Sequence, residues 1–218
     1  MELLETMAEF FTARVDGYDE HMLTNVEGCK EGYAVMAKLI PRDTKRLLDL
    51  GCGTGLELDE IFKYMPHISV TGIDLTQAML DKLMQKHPDK DLKLICGDYF
   101  NTDFNDGEFD CAISFETMHH FSADKKTGLY RRIYNALSDK GVYIECDYMV
   151  RTQQEEDFWF SEKERLLKEA GMTDDGYYHF DTPCTVSNQL AMLKKAGFTP
   201  CTEVFRQGGT VIILARKE

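Results

Sequence analysis

Leu48-Asp49-Leu50-Gly51-Cys52-Gly53-Thr54-Gly55 is the stretch that decides the fold. An apolar run stops at alternating glycines, and an amphipathic stretch follows from Leu56 to Met65. Glycine lets a chain turn tightly and lets backbone approach a ligand with no Cβ in the way. The start of the following helix offers free N–H groups and positive dipole. Such loops serve several ligands. The dinucleotide pattern G-x-G-x-x-G, aligned on Gly51 and Gly53, puts its third glycine at Leu56 and fails. A phosphate loop needs Gly-Lys-Ser/Thr, and no lysine follows Gly55. A plain tight strand-to-helix turn is the alternative.

Outward from this loop, short apolar runs alternate with amphipathic ones. Strands are predicted at 46–50, 69–74, 92–96, 109–114 and 141–145. Helices are predicted after the glycine loop, from the cap at Thr76 to Lys86, and through Leu129, Ile133 and Leu137 as far as Lys140-Gly141. Strict alternation implies right-handed crossovers and a mostly parallel sheet, whose buried strands read as apolar runs. The tail differs: a helix from Val186 closes at Gly197, and two strands flank Gln207-Gly208-Gly209. That reads as an antiparallel pair. Residues 1–40 read as helix broken at Gly17, Gly28 and Gly32, and 147–185 as an insertion carrying Trp159. Without repeats, low-complexity tracts or a Pro-rich linker, one domain over 1–218 is the simplest division.

The next strand ends sharpen the glycine loop. Asp74 ends the second strand and can accept from both hydroxyls of a ribose at the loop. Asp98, in Cys96-Gly97-Asp98-Tyr99, can accept from an adenine amino group while Tyr99 or Leu75 covers the ring. Each aspartate alone reads equally as a helix or turn cap. Three successive strand ends carrying GxGxG, Asp and Asp together describe an adenosine pocket at the carboxyl edge of the sheet.

These motifs resemble class I S-adenosylmethionine-dependent methyltransferases. D-L-G-C-G-T-G matches that superfamily's first motif, G-I-D-L its second, C-G-D-Y its third, and F-D-C-A-I-S-F-E-T-M-H-H-F its fourth-strand segment. The resemblance implies an α/β, Rossmann-like, seven-stranded, mostly parallel sheet with an antiparallel last strand and helices on both faces. It implies S-adenosylmethionine as cofactor. Gly51, Gly53 and Gly55 would border its methionine part and ribose, with Asp74 on the ribose hydroxyls and Asp98 at the adenine amine. The backbone near Ser114 and Phe115 would accept from its ammonium, and Asp49 would orient the loop or meet that ammonium through water. Cys52, Leu75, Met79, Gly97 and Tyr99 complete the set. The segment Phe10–Asp19 resembles a stretch that folds over the cofactor, which makes 1–40 a lid and Tyr18 and Arg14 its contacts; a surface helix packed on the core is the alternative.

A sulfonium already activates its methyl, so alignment of the acceptor is the main demand, and a base is needed only for a protonated acceptor. His119 and His120 follow the fourth strand and are the candidate bases; a packing or capping histidine is the plainer reading. Glu116, Tyr148, Trp159, Tyr178 and His179 are the candidate substrate contacts, the aromatic ones forming a roof in the insertion unless they are core. No spacing supplies a third ligand beside the two histidines, so no metal is expected.

Composition narrows the partners. The 25 Lys and Arg against 38 Asp and Glu leave a net charge of −13, which disfavours nucleic-acid and anionic-membrane surfaces. No apolar run approaches the roughly 20 residues that span a bilayer. Met1-Glu2-Leu3-Leu4-Glu5 lacks a basic leader, and the 7 dispersed cysteines without CxxC fit a reduced, cytoplasmic protein. The expected function is methyl transfer to a small-molecule acceptor, releasing S-adenosylhomocysteine. Alternatives are carboxy-S-adenosylmethionine synthesis, with Arg206 as the partner of the added carboxylate, a tRNA- or protein-modifying enzyme, a non-catalytic nucleoside-binding regulator, and an NAD-dependent oxidoreductase. The oligomeric state is left open.

Overall fold

In the computed structural model, which describes residues 4–173 and 177–218, the strand before the glycine loop sits in the middle of a seven-stranded sheet. The first three residues of the leader stretch and residues 174–176 of the insertion lie outside the described residues. The strands are β1 (Arg46–Leu50), β2 (Ser69–Asp74), β3 (Leu92–Cys96), β4 (Phe109–Phe115), β5 (Leu137–Tyr148), β6 (Cys201–Gln207) and β7 (Thr210–Arg216). Their order is β3-β2-β1-β4-β5-β7-β6. β7 runs antiparallel to both its neighbours, and the other pairings are parallel. The order reverses between β1 and β4, so a crevice opens there at the carboxyl edge.

The helices are α1 (Met7–Thr24), α2 (Cys29–Leu39), α3 (Leu56–Tyr64), α4 (Gln77–Lys86), α5 (Ala123–Ala136), α6 (Gln153–Ala170) and α7 (Val186–Ala196), with a 3-10 turn at Met118–His120. Successive strand residues face opposite sides. Leu47 accordingly joins a cluster with Tyr33, Met36, Ile61 and Leu83 from α2, α3 and α4, while Leu48 joins one with Leu129, Ile133 and Leu193 from α5 and α7. Full burial of each such leucine contributes about 1.5–3 kcal/mol. Helix α1 reaches both clusters, with Met7 in one and Met22 in the other.

Two boundaries and one cap depart from the sequence reading. Helix α5 stops at Ala136, because Leu137 pairs with Phe109 and is fully buried in β5. Sheet pairing there outweighs the helical spacing. Helix α1 runs unbroken through Gly17, around which nothing lies within 4 Å of a built Cβ. Of the three glycines only Gly28 interrupts, left-handed at φ +86°, where a Cβ would stand 2.8 Å from the Gln207 carbonyl oxygen. Thr76 occupies the cap position of α4, yet its side chain makes no cap and its hydroxyl is buried without a partner among the described residues.

Candidate active site at the carboxyl edge

Strand register brings the motif ends together. Leu50 pairs with Ile73 and Ser114, Asp74 with Cys96, and Phe115 with Cys146. Gly51, Asp74, Gly97, Glu116 and Asp147 therefore share one edge. The antiparallel β7 starts beside it, with Thr210 opposite Tyr148.

The glycine loop is fastened by Asp74. Its Oδ2 accepts the Gly53 N–H at 2.9 Å and its Oδ1 accepts the Thr76 N–H at 2.8 Å. Burial pushes the Asp74 carboxyl up to about 6, against the pull of these two donors. Gly51 is left-handed, and a Cβ there would stand 2.7 Å from Thr117 Oγ1. Gly53 is open: the nearest atoms to a built Cβ, Gly51 O and Tyr18 Cε1, lie 4.0 Å away. Beneath the loop, Asp49 and Glu57 are 1% and 5% exposed and share a hydrogen bond. Burial raises both carboxyls, Asp49 to about 7, and Asp49 Oδ2 and Glu57 Oε1 have no hydrogen-bond partner among the described residues. An orphaned acidic oxygen under a bare glycine backbone suits a cationic ligand group.

Two hollows flank the loop, and Phe11 lines both. The smaller, about 50 Å³, is walled by Gly51, Asp74, Leu75, Gly97, Asp98 and Tyr99 on the strand side and by Met7 and Tyr177 opposite. Asp98 is already engaged: Oδ1 accepts the Phe100 N–H at 2.7 Å, and Oδ2 accepts from Asn101 at 2.6 Å and from the Tyr177 hydroxyl at 3.0 Å. The turn-cap reading of Asp98 is realised, and the Tyr177 hydroxyl takes up its Oδ2.

The larger cavity, about 840 Å³, is lined by Phe10, Phe11, Arg14 and Tyr18 of α1, by Glu116, His119 and His120 after β4, and by Tyr148, His179, Asp181 and Thr210. The 3-10 turn holding the histidines is pinned by the Thr182 N–H on the His119 carbonyl at 2.7 Å and by Lys163 on the His120 carbonyl at 3.2 Å. His119 Nδ1 lies 2.6 Å from Asp147 Oδ1. Burial alone would lower His119, but the Asp147 and Asp181 carboxylates outweigh it and hold the imidazole well above its usual range. Burial and the charge on His119 lower His120, and burial takes His179 down to about 4. Burial raises Glu116 to about 8, despite His119.

Several expected contacts are elsewhere. Ser114 Oγ faces the core at 2.7 Å from the Tyr143 hydroxyl, and Phe115 stacks on Tyr33 at 3.8 Å, so only their main chain is left to a cofactor. Met79 is buried in the core, and Cys52 packs under Gly72. Trp159 meets Phe158 and Phe180 edge-on and lines neither hollow, and Tyr178 forms a bridge to Thr6. Arg206 pairs with Glu203 on the edge strand, away from both hollows. The aromatic roof thus comes from α1, whose Phe10 stacks on His179 at 3.5 Å, rather than from Trp159. Sequence spacing missed Asp181, Glu57 and Thr117, which reach the site only through folding; Thr117 accepts or donates with the Tyr99 hydroxyl at 2.9 Å.

An open α/β sheet with a glycine loop, an aspartate tying that loop and paired hollows at the switch point defines a nucleoside-binding enzyme fold. Residues 47–141 match the family model of a methyltransferase domain. Over that segment the chain carries a methyltransferase-type domain of the S-adenosylmethionine-dependent kind. Among curated relatives, a carboxy-S-adenosyl-L-methionine synthase of Nitratiruptor sp. is 25% identical over 98% of this chain and 95% of that protein. The sterol 24-C-methyltransferase erg-4 of Neurospora crassa is 28% identical over 73% of this chain and 40% of that protein. Among solved structures, human N-acetylserotonin methyltransferase in complex with SAM superposes at TM-score 0.66 and 18% identity, over 96% of this chain and 55% of that one. A Haemonchus contortus N-methyltransferase solved with phosphomonomethylethanolamine and S-adenosylhomocysteine gives TM-score 0.71 at 16% identity, over 98% of this chain and 61% of that one. The chain thus spans less than two thirds of the length of these structural neighbours.

Proposed function

We propose that the chain, as one methyltransferase domain over residues 1–218, transfers the methyl of S-adenosylmethionine to a small-molecule acceptor held in the larger cavity. The observation that carries this reading is the pair of hollows that share Phe11 in their walls, one edged by Asp74 and Gly51, the other walled by His119 and His120. When bound, the cofactor supplies a methyl on a sulfonium, activated toward a nucleophile. Gly51, Gly53 and Gly55 would pass its methionine and ribose closely, Asp74 would accept from the ribose hydroxyls, and Asp49 would offer its free oxygen to the ammonium. Tyr18, over Gly53, would close the site from α1.

The chain's own groups orient the acceptor. A cavity of about 840 Å³ is of small-molecule size, and Phe10, Phe11 and Tyr148 suit an apolar or planar body. Its reacting atom would face His119, His120 and Glu116, and Glu116, raised by burial, can exchange a proton near neutral pH. The charge of −13 argues against tRNA as acceptor. Among the described residues no helix is long and apolar enough to cross a membrane, and the cysteines are free; both support a cytoplasmic setting.

A second reading, carboxy-S-adenosylmethionine synthesis, is favoured by the near full-length alignment with such synthases. Against it, Arg206 lines neither the glycine-loop hollow nor the larger cavity. Calorimetry with S-adenosylmethionine, S-adenosylhomocysteine and NAD, followed by turnover against acceptor panels, tests the first reading. Micromolar binding of the first two is expected, and tight NAD binding overturns it. The mass of the nucleoside extracted from purified protein separates the second, since a carboxylated cofactor would appear as its own mass.

A further inference from the structure

The histidine wall of the larger cavity holds a second arrangement that the methyl-transfer reading does not use. His119, His120 and Asp181 each offer one ligand atom, and these atoms lie within 4.8 Å of one another. His119 Nε2 is 3.5 Å and His120 Nδ1 is 3.4 Å from Asp181 Oδ1. These are ion-pair distances, but Oδ1 is buried and has no hydrogen-bond partner by geometry among the described residues. Two atoms bound at about 2.1 Å around a tetrahedral ion stand about 3.4 Å apart. The two nitrogen–oxygen distances match that spacing.

We propose that His119 Nε2, His120 Nδ1 and the Asp181 carboxylate form a three-ligand site for a divalent transition-metal ion of the Zn²⁺ type, with its remaining position open to the larger cavity.

The surroundings support it independently. A metal-bound histidine usually gives its other ring nitrogen to a carboxylate, which fixes the tautomer. His119 does so: its Nδ1 meets the buried Asp147 at 2.6 Å, which leaves Nε2 for an ion that displaces its proton. The Thr182 hydroxyl and N–H both hold the His119 carbonyl, so the segment carrying Asp181 is pinned to the turn carrying the histidines. His120 Nδ1 has one competing contact, the Phe180 carbonyl at 3.4 Å, the weak end of hydrogen bonding. Glu116, Asp147 and Asp181 all surround His119, a field that favours a cation. Two nitrogens and one oxygen suit Zn²⁺ and related ions better than Mg²⁺ or Ca²⁺, which prefer oxygen. The ligand class for the open position is an anionic oxygen, such as a phenolate, enolate or carboxylate. The site stands on its own ligand geometry, and its bearing on the acceptor rests on the proposed methyl transfer.

The test uses the full chain stripped with EDTA, titrated calorimetrically with Zn²⁺ and spectroscopically with Co²⁺. One equivalent per chain is expected, with the visible absorption of nitrogen- and oxygen-bound Co²⁺. Asp147→Asn, which keeps the shape but weakens the supporting hydrogen bond, should lower Zn²⁺ affinity about 10–100-fold. Asp181→Ala should lower it at least as much; its side chain is 43% exposed, so the fold should tolerate the change, as a thermal melt will show. Absent Zn²⁺ binding, or binding that neither substitution weakens, overturns the site and leaves an imidazole–carboxylate ion pair. S-adenosylmethionine affinity, measured on the same stripped protein, keeps the two readings apart: Zn²⁺ binding without cofactor binding sinks the methyltransferase reading while the metal site stands.

Discussion

Asp74 Oδ2 accepts the backbone N–H of Gly53 at 2.9 Å, so the carboxylate that ends β2 also sets the shape of the glycine loop after β1. Asp74→Ala removes both the ribose acceptor and this tie. Hydrogen bonds to a charged group are each worth about 1.5–3 kcal/mol, so S-adenosylmethionine affinity should fall by roughly 10–150-fold. Calorimetry checks this, and unchanged affinity would show that Asp74 only shapes the turn.

The same carboxyl predicts a pH dependence. Its pKa is raised to about 6 by burial, so below that pH it carries a proton where an acceptor is needed. Cofactor affinity should weaken as pH drops through about 6 in the wild type. Asp74→Asn should bind weakly and lose the part of the profile centred near 6, keeping only the dependence that Asp49 gives near 7. A wild-type profile that lacks the same part would refute the role.

Asp49 and Glu57 predict a conflict between stability and binding. Both folded-state carboxyls are raised by burial, Asp49 to about 7. A raised acid favours folding in its protonated form, so this stabilisation is present at acid pH and is lost as pH rises through about 7. Asp49→Asn should therefore melt a few degrees above wild type at alkaline pH, with the gap closing in acid. The same substitution should weaken S-adenosylmethionine binding, because it removes the charge beneath the ammonium. Thermal melts at several pH values, paired with calorimetry, read both effects.

The Tyr177 hydroxyl donates to Asp98 Oδ2 at 3.0 Å, the oxygen proposed to accept from the adenine amine. The slot it lines is about 50 Å³, too small for adenosine, so the proposed adenine site requires Tyr177 and Met7 to give way. Tyr177→Phe frees the acceptor and should raise cofactor affinity several-fold, about 1 kcal/mol. A loss of affinity instead would mean that the hydroxyl itself contacts the cofactor.

Tyr148 and Trp159 separate the cavity from the insertion around it. Tyr148 lines the cavity and Trp159 does not. Tyr148→Ala should raise KM for the acceptor by about tenfold, the effect of losing on the order of 1.4 kcal/mol of contact. Trp159→Ala should leave KM near wild type and lower only the melting temperature. A large KM change in Trp159→Ala would place the acceptor outside the cavity.

Local chemistry made much of this molecule legible in its sequence. The apolar runs, the glycine loop, Asp74 and the Gly208-Gly209 hairpin are short-range signals, set by sterics and by periods of 2 and 3.6 residues, and they give the sheet, its antiparallel end and the cofactor edge. What a local signal cannot carry is partner choice. Leu137 fits the helical spacing of α5, yet pairing with Phe109 takes it into β5. Asp98 reads as an adenine ligand, yet Tyr177, 79 residues on, occupies it. His119 and His120 read as a pair without a third ligand, because Asp181 follows 61 residues after His120 and reaches them only when the insertion is pinned to the 3-10 turn. Sequence alone determined which strand ends share the carboxyl edge, since alternation and glycine sterics act between neighbours. The tertiary structure decided which acids meet which histidines, since that depends on burial and register between segments distant in the chain.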